Sequence, residues 1–296
     1  DKLYGIDVDL REQATYSFAV ETTSAITDRF EISIIHTVKP PVVWNGEGLW
    51  SEGDKWPSGI LPSPSSRVIV QSGILTIDQD VEVVGLSVCA GAGLTLKEGY
   101  GLTVDTLMLK SDSIKQIASF INLGYLVANT VEVERHIPKA AFEYIASPVV
   151  EQKANVFGVL SSDPGIGMRL FSYCNSTNSW VSITNGNDLL NPMHGYTFSN
   201  FTDSQTVIFS GTDIYTGGQH VTLHMNTRGF NLIGNPYTAY IDWGSHNGWD
   251  RDTSTLKPVI WINYADNPGA GNFATFNHHS GEYTNWPVSY THLRAH

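Results

Sequence analysis

Three stretches of the sequence share one pattern and decide the fold: VIVQSGILTI at residues 68–77, LSVCAGAGLTL at 86–96 and LTVDTLML at 102–109. Each alternates apolar with small or polar residues, as a strand with one buried face does. Their first residues, Val68, Leu86 and Leu102, are 18 and 16 positions apart (86 − 68 and 102 − 86). Such repeats predict the stacked turns of a short parallel β-helix of about three turns. An antiparallel meander remains the alternative, because alternation alone does not distinguish the two.

The composition places the whole chain in the all-β class. Val, Ile, Thr and aromatic residues recur in short runs separated by Gly, Asn, Asp, Ser and Pro, which is typical of strands and turns. One segment, residues 112–120, has helical character. The 296 residues are 41% hydrophobic and 16% charged, so the chain can bury a core. The net charge of −12 disfavours nucleic-acid binding, and no apolar run is long enough to span a membrane.

The sequence predicts several pieces in order. Residues 1–38 resemble the C-terminal part of a truncated β-sandwich, and Lys39-Pro40-Pro41 begins a stiff linker at 39–43. The β-helix-like segment covers 42–113, where three early tryptophans would cap the open end of the coil. Short strands at regular spacing over 114–287 predict a second, jelly-roll-like β-sandwich. The last nine residues, VSYTHLRAH at 288–296, resemble a translated sequencing adapter, and we expect them to be an artefactual tail.

Several motifs carry a resemblance to a known family. They are WNG at 44–46 with Trp50 and Trp56, VEVERxI at 131–137 with YIxSPV at 144–149, LxPxxGY at 190–196, FxG at 209–211 with TG at 216–217, and GFNLIGNPY at 229–237. Together these motifs resemble large secreted or cell-surface proteins of Gram-negative bacteria that are exported by type IX secretion. The chain departs from the pattern at Thr238-Ala239, where relatives often continue with Pro-Ser-like residues.

The resemblance implies an extracellular or outer-surface location and provides no catalytic residues to carry over. The GFNLIGNPY motif also has a purely structural interpretation. Gly229 and Gly234 permit unusual backbone angles, Asn235-Pro236 forces a turn, and the apolar side chains of Phe230, Leu232 and Tyr237 can face the core.

A search for reactive groups finds no catalytic motif. The nucleophile pattern GxSxG is absent. Cys89 and Cys174 lack metal-ligand spacing and are expected to be two separately buried residues, although sequence alone does not exclude their pairing. His220 and His224 fall in a predicted strand, where residues four apart lie about 13 Å from each other, too far to share one zinc ion. The sequence therefore predicts a non-enzymatic protein without a cofactor.

Asp250 and Asp252 offer alternate oxygen ligands for an irregular calcium site, and an ordinary polar turn is the alternative. A calcium loop of the EF-hand type would require Gly at its sixth position and Glu at its twelfth, where this chain has Thr255 and Trp261. If calcium binds here, its role is expected to be structural.

Aromatic residues near the C-terminus give the strongest functional lead. Trp249 lies in a polar loop beside Asp250, and Trp243 precedes them. Exposed rings flanked by Asp and Asn can stack on sugars and bind their hydroxyls, so these three residues are predicted glycan contacts. The alternative is that the rings close one end of the sandwich.

Two functions follow. The first is a structural or adhesive region of a large exported surface protein, with glycans, other surface proteins or other domains of the same chain as partners. The second is a carbohydrate-binding accessory region of a secreted hydrolase.

Overall fold

The computed structural model describes Ser17 and residues 39–284 apart from 115, 139–141, 164–167, 200–202, 225–228, 244, 246–247, 251–256, 258, 264–272 and 278–279. Residues Asp1–Lys39 form one compact unit and Pro40–His296 another. The predicted sandwich at 1–38, Ser17 aside, and the predicted tail at 288–296 lie outside the described residues. Within the predicted linker at 39–43, Val42 and Val43 already belong to the first strand.

Strands dominate the regular structure of the described chain, and two 3-10 helices, Gly53–Lys55 and Ala154–Phe157, are its only helices. In chain order the strands are β1 (Val42–Asn45), β2 (Gly48–Leu49), β3 (Arg67–Ser72), β4 (Ile74–Ile77), β5 (Val81–Val88), β6 (Gly93–Leu96), β7 (Gly101–Leu109), β8 (Ser119–Asn122), β9 (Tyr125–Ile137), β10 (Phe142–Ile145), β11 (Arg169–Cys174), β12 (Ser179–Ile183), β13 (Tyr196–Ser199), β14 (Gln205–Gly211), β15 (Val259–Asn263), β16 (Phe273–Asn277) and β17 (Tyr283–Thr284).

The first nine strands form a parallel coil. Strands β1, β3, β5, β7 and β9 pair in parallel in one sheet, and β2, β4, β6 and β8 do so in a second. Each turn contributes one strand to each sheet, so the chain winds as a β-solenoid of about four turns. The all-β class and the parallel coil are confirmed, and the meander is wrong for these strands.

Stacked apolar side chains fill the interior of the coil. Residues in register on successive turns of the first sheet are at most 1% exposed: Val68, Leu86, Leu107 and Val131. The second sheet contributes a matching row, again at most 1% exposed: Leu75, Leu94 and Phe120. Because each row removes several apolar side chains from water, the hydrophobic effect holds the turns in register.

The register differs from the sequence prediction at the third repeat. Leu86 stands opposite Leu107, whereas Leu102 stands opposite Val81. Strands β5 and β7 are 8 and 9 residues long, and each begins well before its residue that aligns with Val68. Those aligned residues are Leu86 in β5 and Leu107 in β7. The coil also continues through β8 and β9, beyond the three repeats that the pattern indicated.

Three tryptophans pack together in the first turn. Trp44, Trp50 and Trp56 are 1%, 2% and 2% exposed. The ring of Trp56 lies 4.8 Å from each of the other two rings, measured between centroids. The Trp44 indole N–H donates to the Gly46 carbonyl and that of Trp56 to the Trp50 carbonyl, both at 2.9 Å. The early tryptophans are therefore core residues of the first turn, where their rings pack on one another.

Residues 112–114 and 116–120 form a turn and then a strand instead of the predicted helical segment. The Asp112 carboxylate accepts the backbone N–H groups of Ile114 and Gln116, and β8 begins at Ser119. Asp binds nearby backbone N–H groups in turns, and this local bonding competes with a helix. The short apolar run at 117–121 then completes the second sheet.

Strand β9 links the coil to the C-terminal region. Its parallel partner is β7, and along residues 131–137 its other edge pairs antiparallel with β14. A separate antiparallel sheet follows in the order β10–β13–β11–β12. Strands β15, β16 and β17 form a further antiparallel sheet. Phe157 connects two of these layers, because its ring lies 4.7 Å from Phe198 of β13 and 6.0 Å from Phe209 of β14. The region predicted as a sandwich, 114–287, thus contains the last coil strands β8 and β9, strand β14, which extends the first coil sheet, and two additional antiparallel sheets.

Candidate functional site

The structure brings together the rings of two predicted glycan contacts, Trp243 and Trp249, and the third, Asp250, follows Trp249 in the chain. The Trp249 indole N–H donates to the Asp242 carbonyl at 2.7 Å, and the Trp243 and Trp249 rings meet edge to face with centroids 4.7 Å apart. Trp243 is 7% exposed, Trp249 is half-buried and Asp250 is exposed. Of the two rings, Trp249 alone offers surface to a ligand, whereas Trp243 supports it from within.

The described part of the chain contains no group of three His, Cys, Asp or Glu side chains that could hold a metal ion. Asp250 is exposed, and Asp252 lies outside the described residues, so the calcium site stays a prediction. His220 and His224 lie in a segment without regular secondary structure, so the predicted strand that begins at residue 220 is wrong for the residues described.

The two cysteines are free thiols and both are half-buried, rather than fully buried as expected. Hydrogen bonds from the Ser176 and Thr177 side chains lower the pKa of the Cys174 thiol to about 7, because these donors favour the thiolate. The Cys174 Sγ and Ser176 Oγ atoms are 3.3 Å apart.

A small cleft lies where β9 meets β10. Its lining includes Ser111, Arg135, His136, Glu143 and Tyr144, and its volume is about 40 Å³. The Arg135 guanidinium donates to the Glu134 carbonyl at 2.8 Å, and desolvation lowers the pKa of Arg135 to about 10. This volume suits one or two water molecules rather than a substrate.

An aromatic surface covers one side of the β10–β13–β11–β12 sheet. Cross-strand register places Tyr173 opposite Trp180, and Phe171 opposite both Ser182 and Thr197. Thr197 also stands opposite Tyr144. Opposed residues of an antiparallel pair, and residues two apart on one strand, lie on the same face. We call this surface, defined by Tyr144, Phe171, Tyr173 and Trp180, the aromatic face.

Contacts between the rings fix the aromatic face. The centroids of Tyr173 and Trp180 are 5.3 Å apart with the rings at 66°, and those of Tyr144 and Trp180 are 6.3 Å apart with the rings at 23°. The Tyr173 hydroxyl donates to the Asn178 side-chain oxygen. Trp180 is nevertheless 45% exposed. Partial burial raises the pKa of the Tyr144 hydroxyl, because desolvation disfavours the phenolate.

Hydroxyl groups lie beside the rings on the same face. Ser182 and Ser199 follow Trp180 and Thr197 by two positions, which puts their side chains on the side of the rings. Neither hydroxyl has a hydrogen-bond partner among the described residues, although both oxygen atoms are shielded from solvent. Arg169 adds a cation, with its guanidinium carbon 6.0 Å from the Phe171 ring centroid.

Sequence reasoning missed the aromatic face. A signal was available for half of it, because FSYC at 171–174 and SWVS at 179–182 flank the polar run Asn175-Ser-Thr-Asn178, which is typical of a hairpin. Hairpin pairing alone would have placed Tyr173 opposite Trp180. The addition of Tyr144 depends on β13 lying between β10 and β11, which local sequence does not specify.

The GFNLIGNPY motif has a structural role in the described residues. The Asn235 side chain donates to the Ala239 carbonyl at 2.8 Å and accepts the Tyr237 backbone N–H at 2.9 Å, which fixes a turn. Gly234 is required by close packing, since a Cβ there would lie 2.4 Å from the Ala146 Cβ. Phe230 differs from the prediction, because it is 49% exposed and meets the Trp261 ring edge to face.

The residue after the motif attaches this segment to the coil. The Thr238 hydroxyl donates to the Phe120 carbonyl at 2.8 Å, and the Phe120 N–H donates to the Thr238 carbonyl at 3.2 Å. Thr238 is 3% exposed. Thr238 therefore makes a buried contact with β8.

Comparison of the chain with protein-family models, curated proteins and solved structures yields no match. None of the helices in the described residues has the length and apolar character needed to cross a membrane.

Proposed function

We propose that this chain is a non-enzymatic structural and adhesive region of a large bacterial protein exported to the cell surface. The observation that carries the proposal is the parallel coil of about four turns, which is continuous through β9 with the C-terminal sheets. Such a coil suits a spacer that presents the sheets, because stacked turns form a rigid quasi-one-dimensional element. The motif resemblance to type IX secretion substrates supports the export part of the proposal.

An experiment on the purified chain tests the absence of catalysis. We expect no release of reducing ends from polysaccharides and no cleavage of denatured protein substrates over a prolonged incubation. Turnover that co-purifies with the chain and follows it through a second chromatographic step would contradict the proposal. Protease treatment of intact source cells tests location, and we expect the coil to be degraded from outside while a cytoplasmic control protein stays whole.

Carbohydrate binding is the second candidate function, with the chain as an accessory region of a secreted hydrolase. The half-buried Trp249 ring beside the exposed Asp250 favours it, because a ring face and a carboxylate together suit a sugar. Affinity electrophoresis of wild type and Trp249→Ala tests this site. Retardation that disappears in the variant supports a contact at Trp249. Equal migration of the two proteins counts against it.

Partners under either function are glycans, other surface proteins or other domains of the same chain. The net charge of −12 argues against a nucleic-acid partner, which requires a basic surface. No cofactor is proposed, and a structural calcium ion at Asp250 and Asp252 stays part of the proposal. Calcium titration followed by thermal unfolding tests the ion, with a rise in melting temperature expected for wild type and none for Asp250→Asn.

A further inference from the structure

We propose that two copies of this chain associate through residues 125–129 of β9, which pair as antiparallel strands about a twofold axis. We call residues 125–129 the open edge. Three of its features support this pairing: backbone groups that face no described strand, exposed apolar side chains, and the absence of charge. The dimer goes beyond both proposed functions and depends on neither.

The open edge is the part of β9 that pairs with a strand on one side alone. On one side, β7 pairs with β9 from Tyr125 onward. On the other side, β14 ends at Gly211, which stands opposite Val131. None of the described strands continues that ladder beside residues 125–129. The same edge of β9 is therefore covered in its second half and uncovered in its first.

The backbone of the open edge fits another polypeptide strand. The Tyr125 N–H donates to the Tyr100 carbonyl at 2.9 Å, on the side of β7. Because successive residues of a strand direct their backbone groups to opposite sides, the N–H and C=O groups of Leu126 and Ala128 point away from β7. A second strand supplies donors and acceptors at the matching spacing, which a sugar or a lipid does not.

The inward side chains of the open edge lack the cover that β14 gives to the rest of β9. Beside β14, Val131 and Val133 are 0% and 1% exposed. Leu126 and Ala128 pack against the core but are only half-buried, although Leu102, which aligns with Leu126 on the preceding turn, is 0% exposed. Stacked turns need a cap at the end of the stack. The described strands provide that cap beside Val131 but not beside Leu126.

The outward side chains at the open edge are apolar and exposed. Tyr125 is 73% exposed and Val127 is 61% exposed, as is Leu123 just before the strand. The stretch 116–131 contains neither a charged residue nor a proline. Sheet edges that stay single usually carry such residues, because charge and proline discourage pairing with another strand. The open edge has none of these protections.

A second copy is the occupant that this segment fits. With Val127 of each copy opposite the other at the twofold axis, Leu126 stands opposite Ala128 on both sides of the axis. These are the residues whose backbone groups face outward, so each such pair can exchange two hydrogen bonds. Tyr125 then faces Asn129, and no like charges meet. The antiparallel sense is the one in which β14 already pairs with this edge, so the second copy would continue an existing ladder.

Sedimentation velocity of the full chain tests the association. We expect a monomer–dimer equilibrium between about 1 and about 200 μM, because one short strand pair buries little area and binds weakly. Val127→Lys brings two like charges together at the axis and should weaken association by about tenfold or more. Ile74→Lys is the matched control, because Ile74 is 45% exposed but lies on β4, which has a paired strand on each side.

Salt dependence provides a second expectation. Two chains with a net charge of −12 repel each other, and the nearest acidic group on β7, Asp105, is held by a hydrogen bond from Asn129 at 2.6 Å. Since salt screens this repulsion and the open edge itself carries no charge, association should strengthen as salt is added. A dimer that dissociates in salt would contradict an uncharged interface.

Disulfide trapping tests the strand pairing itself. In a background with Cys89→Ser and Cys174→Ser, we expect oxidised glutathione to cross-link Val127→Cys between copies, because residues that face each other at such an axis have Cα atoms about 4.5 Å apart. Thr103→Cys is the control. Thr103 is also exposed and stands opposite Val127 on β7, one strand away from the open edge.

Thermal unfolding of each variant shows whether a loss of association reflects a loss of fold. A wild-type chain that stays monomeric at the highest concentration would overturn the proposal, and so would a dimer that folded Val127→Lys leaves intact. Equal cross-linking of Val127→Cys and Thr103→Cys would overturn the strand pairing. Turnover and sugar binding are measured separately, so these results are distinguishable from a failure of either proposed function.

Discussion

Gly73 lies at a corner of the coil where two successive turns approach each other closely. Gly73 joins β3 to β4 with a φ of +74°, and a Cβ at this position would lie 2.1 Å from the Gly46 carbonyl oxygen of the preceding turn. The Gly73 carbonyl in turn accepts the N–H of Gly93 on the next turn at 2.8 Å. The corner residue thus has to be glycine for two reasons, its backbone conformation and the closeness of the neighbouring turn.

Replacing Gly73 with alanine separates these two reasons when it is compared with Gly59→Ala. Gly59 has a φ of +67°, and no atom lies within 4 Å of the position that a Cβ would take, so its replacement adds backbone strain alone. We expect Gly59→Ala to cost about 1 kcal/mol and Gly73→Ala to cost more, because the latter also displaces the adjacent turn. Urea unfolding measures both, and equal losses would contradict the close-packing argument.

The Cys174 thiol provides a prediction about pH. Its pKa is lowered to about 7 by hydrogen bonds from Ser176 and Thr177, so the thiolate predominates above that pH. In a Cys89→Ser background, the rate of iodoacetamide alkylation should rise with pH and reach half its maximum near a pH of about 7. Ser176→Ala removes the bond with the largest effect and should move the midpoint upward. A midpoint near the ordinary value for a free thiol, unaffected by Ser176→Ala, would show that the bonds do not form.

At the scale of elements, Thr238, the residue after the GFNLIGNPY motif, binds the coil through two hydrogen bonds to Phe120, 118 positions away in the chain. We call this pair of bonds the clamp. Strand β8 is the edge strand of the second sheet, so these bonds satisfy backbone groups at the end of the coil.

Thr238→Val tests the clamp without changing the size of the side chain. The substitution removes the hydroxyl that donates to the Phe120 carbonyl in a buried setting, and we expect a loss of about 1–2 kcal/mol in the free energy of unfolding. Thr238→Ser keeps the hydroxyl and should lose less. The urea midpoint provides the measurement, and a valine variant as stable as the serine variant would argue that the bond contributes nothing.

At the scale of the whole molecule, β9 belongs to the coil and to the C-terminal region at once. Val133 stands opposite Leu109 in the parallel pair and opposite Phe209 in the antiparallel pair. Phe209 is 0% exposed and meets Phe157 edge to face. A substitution that destabilises β14 should therefore also destabilise the coil, because both pair with strand β9.

Phe209→Ala tests this coupling. We expect a loss of about 3–5 kcal/mol, because removal of a large buried ring leaves a cavity. Hydrogen exchange should then accelerate in the peptide covering 68–77, far from the substitution in sequence, if the coil and the sheets unfold together. Ile208→Ala is the control on the same strand, since that side chain is 44% exposed and should change stability little. Unchanged exchange at 68–77 in Phe209→Ala would mean that the coil unfolds independently.

The sequence by itself determined the all-β class and the apolar positions that fill the coil, because alternation and turn residues act over a few positions. It predicted the parallel coil but left an antiparallel meander open, and the strand pairing of the structure decided between them. It did not determine the strand register at Leu102, which follows from longer strands, or the turn at Asp112, which local hydrogen bonds fix. It also did not determine the exposure of Phe230, whose ring meets Trp261. The glycan contacts at Trp249, Trp243 and Asp250 stay a prediction, and the structure adds that Trp243 is buried. Only the tertiary structure decided the aromatic face, because Tyr144 reaches Trp180 through pairings between strands that are distant in the chain, and long-range pairing depends on packing that local patterns do not encode.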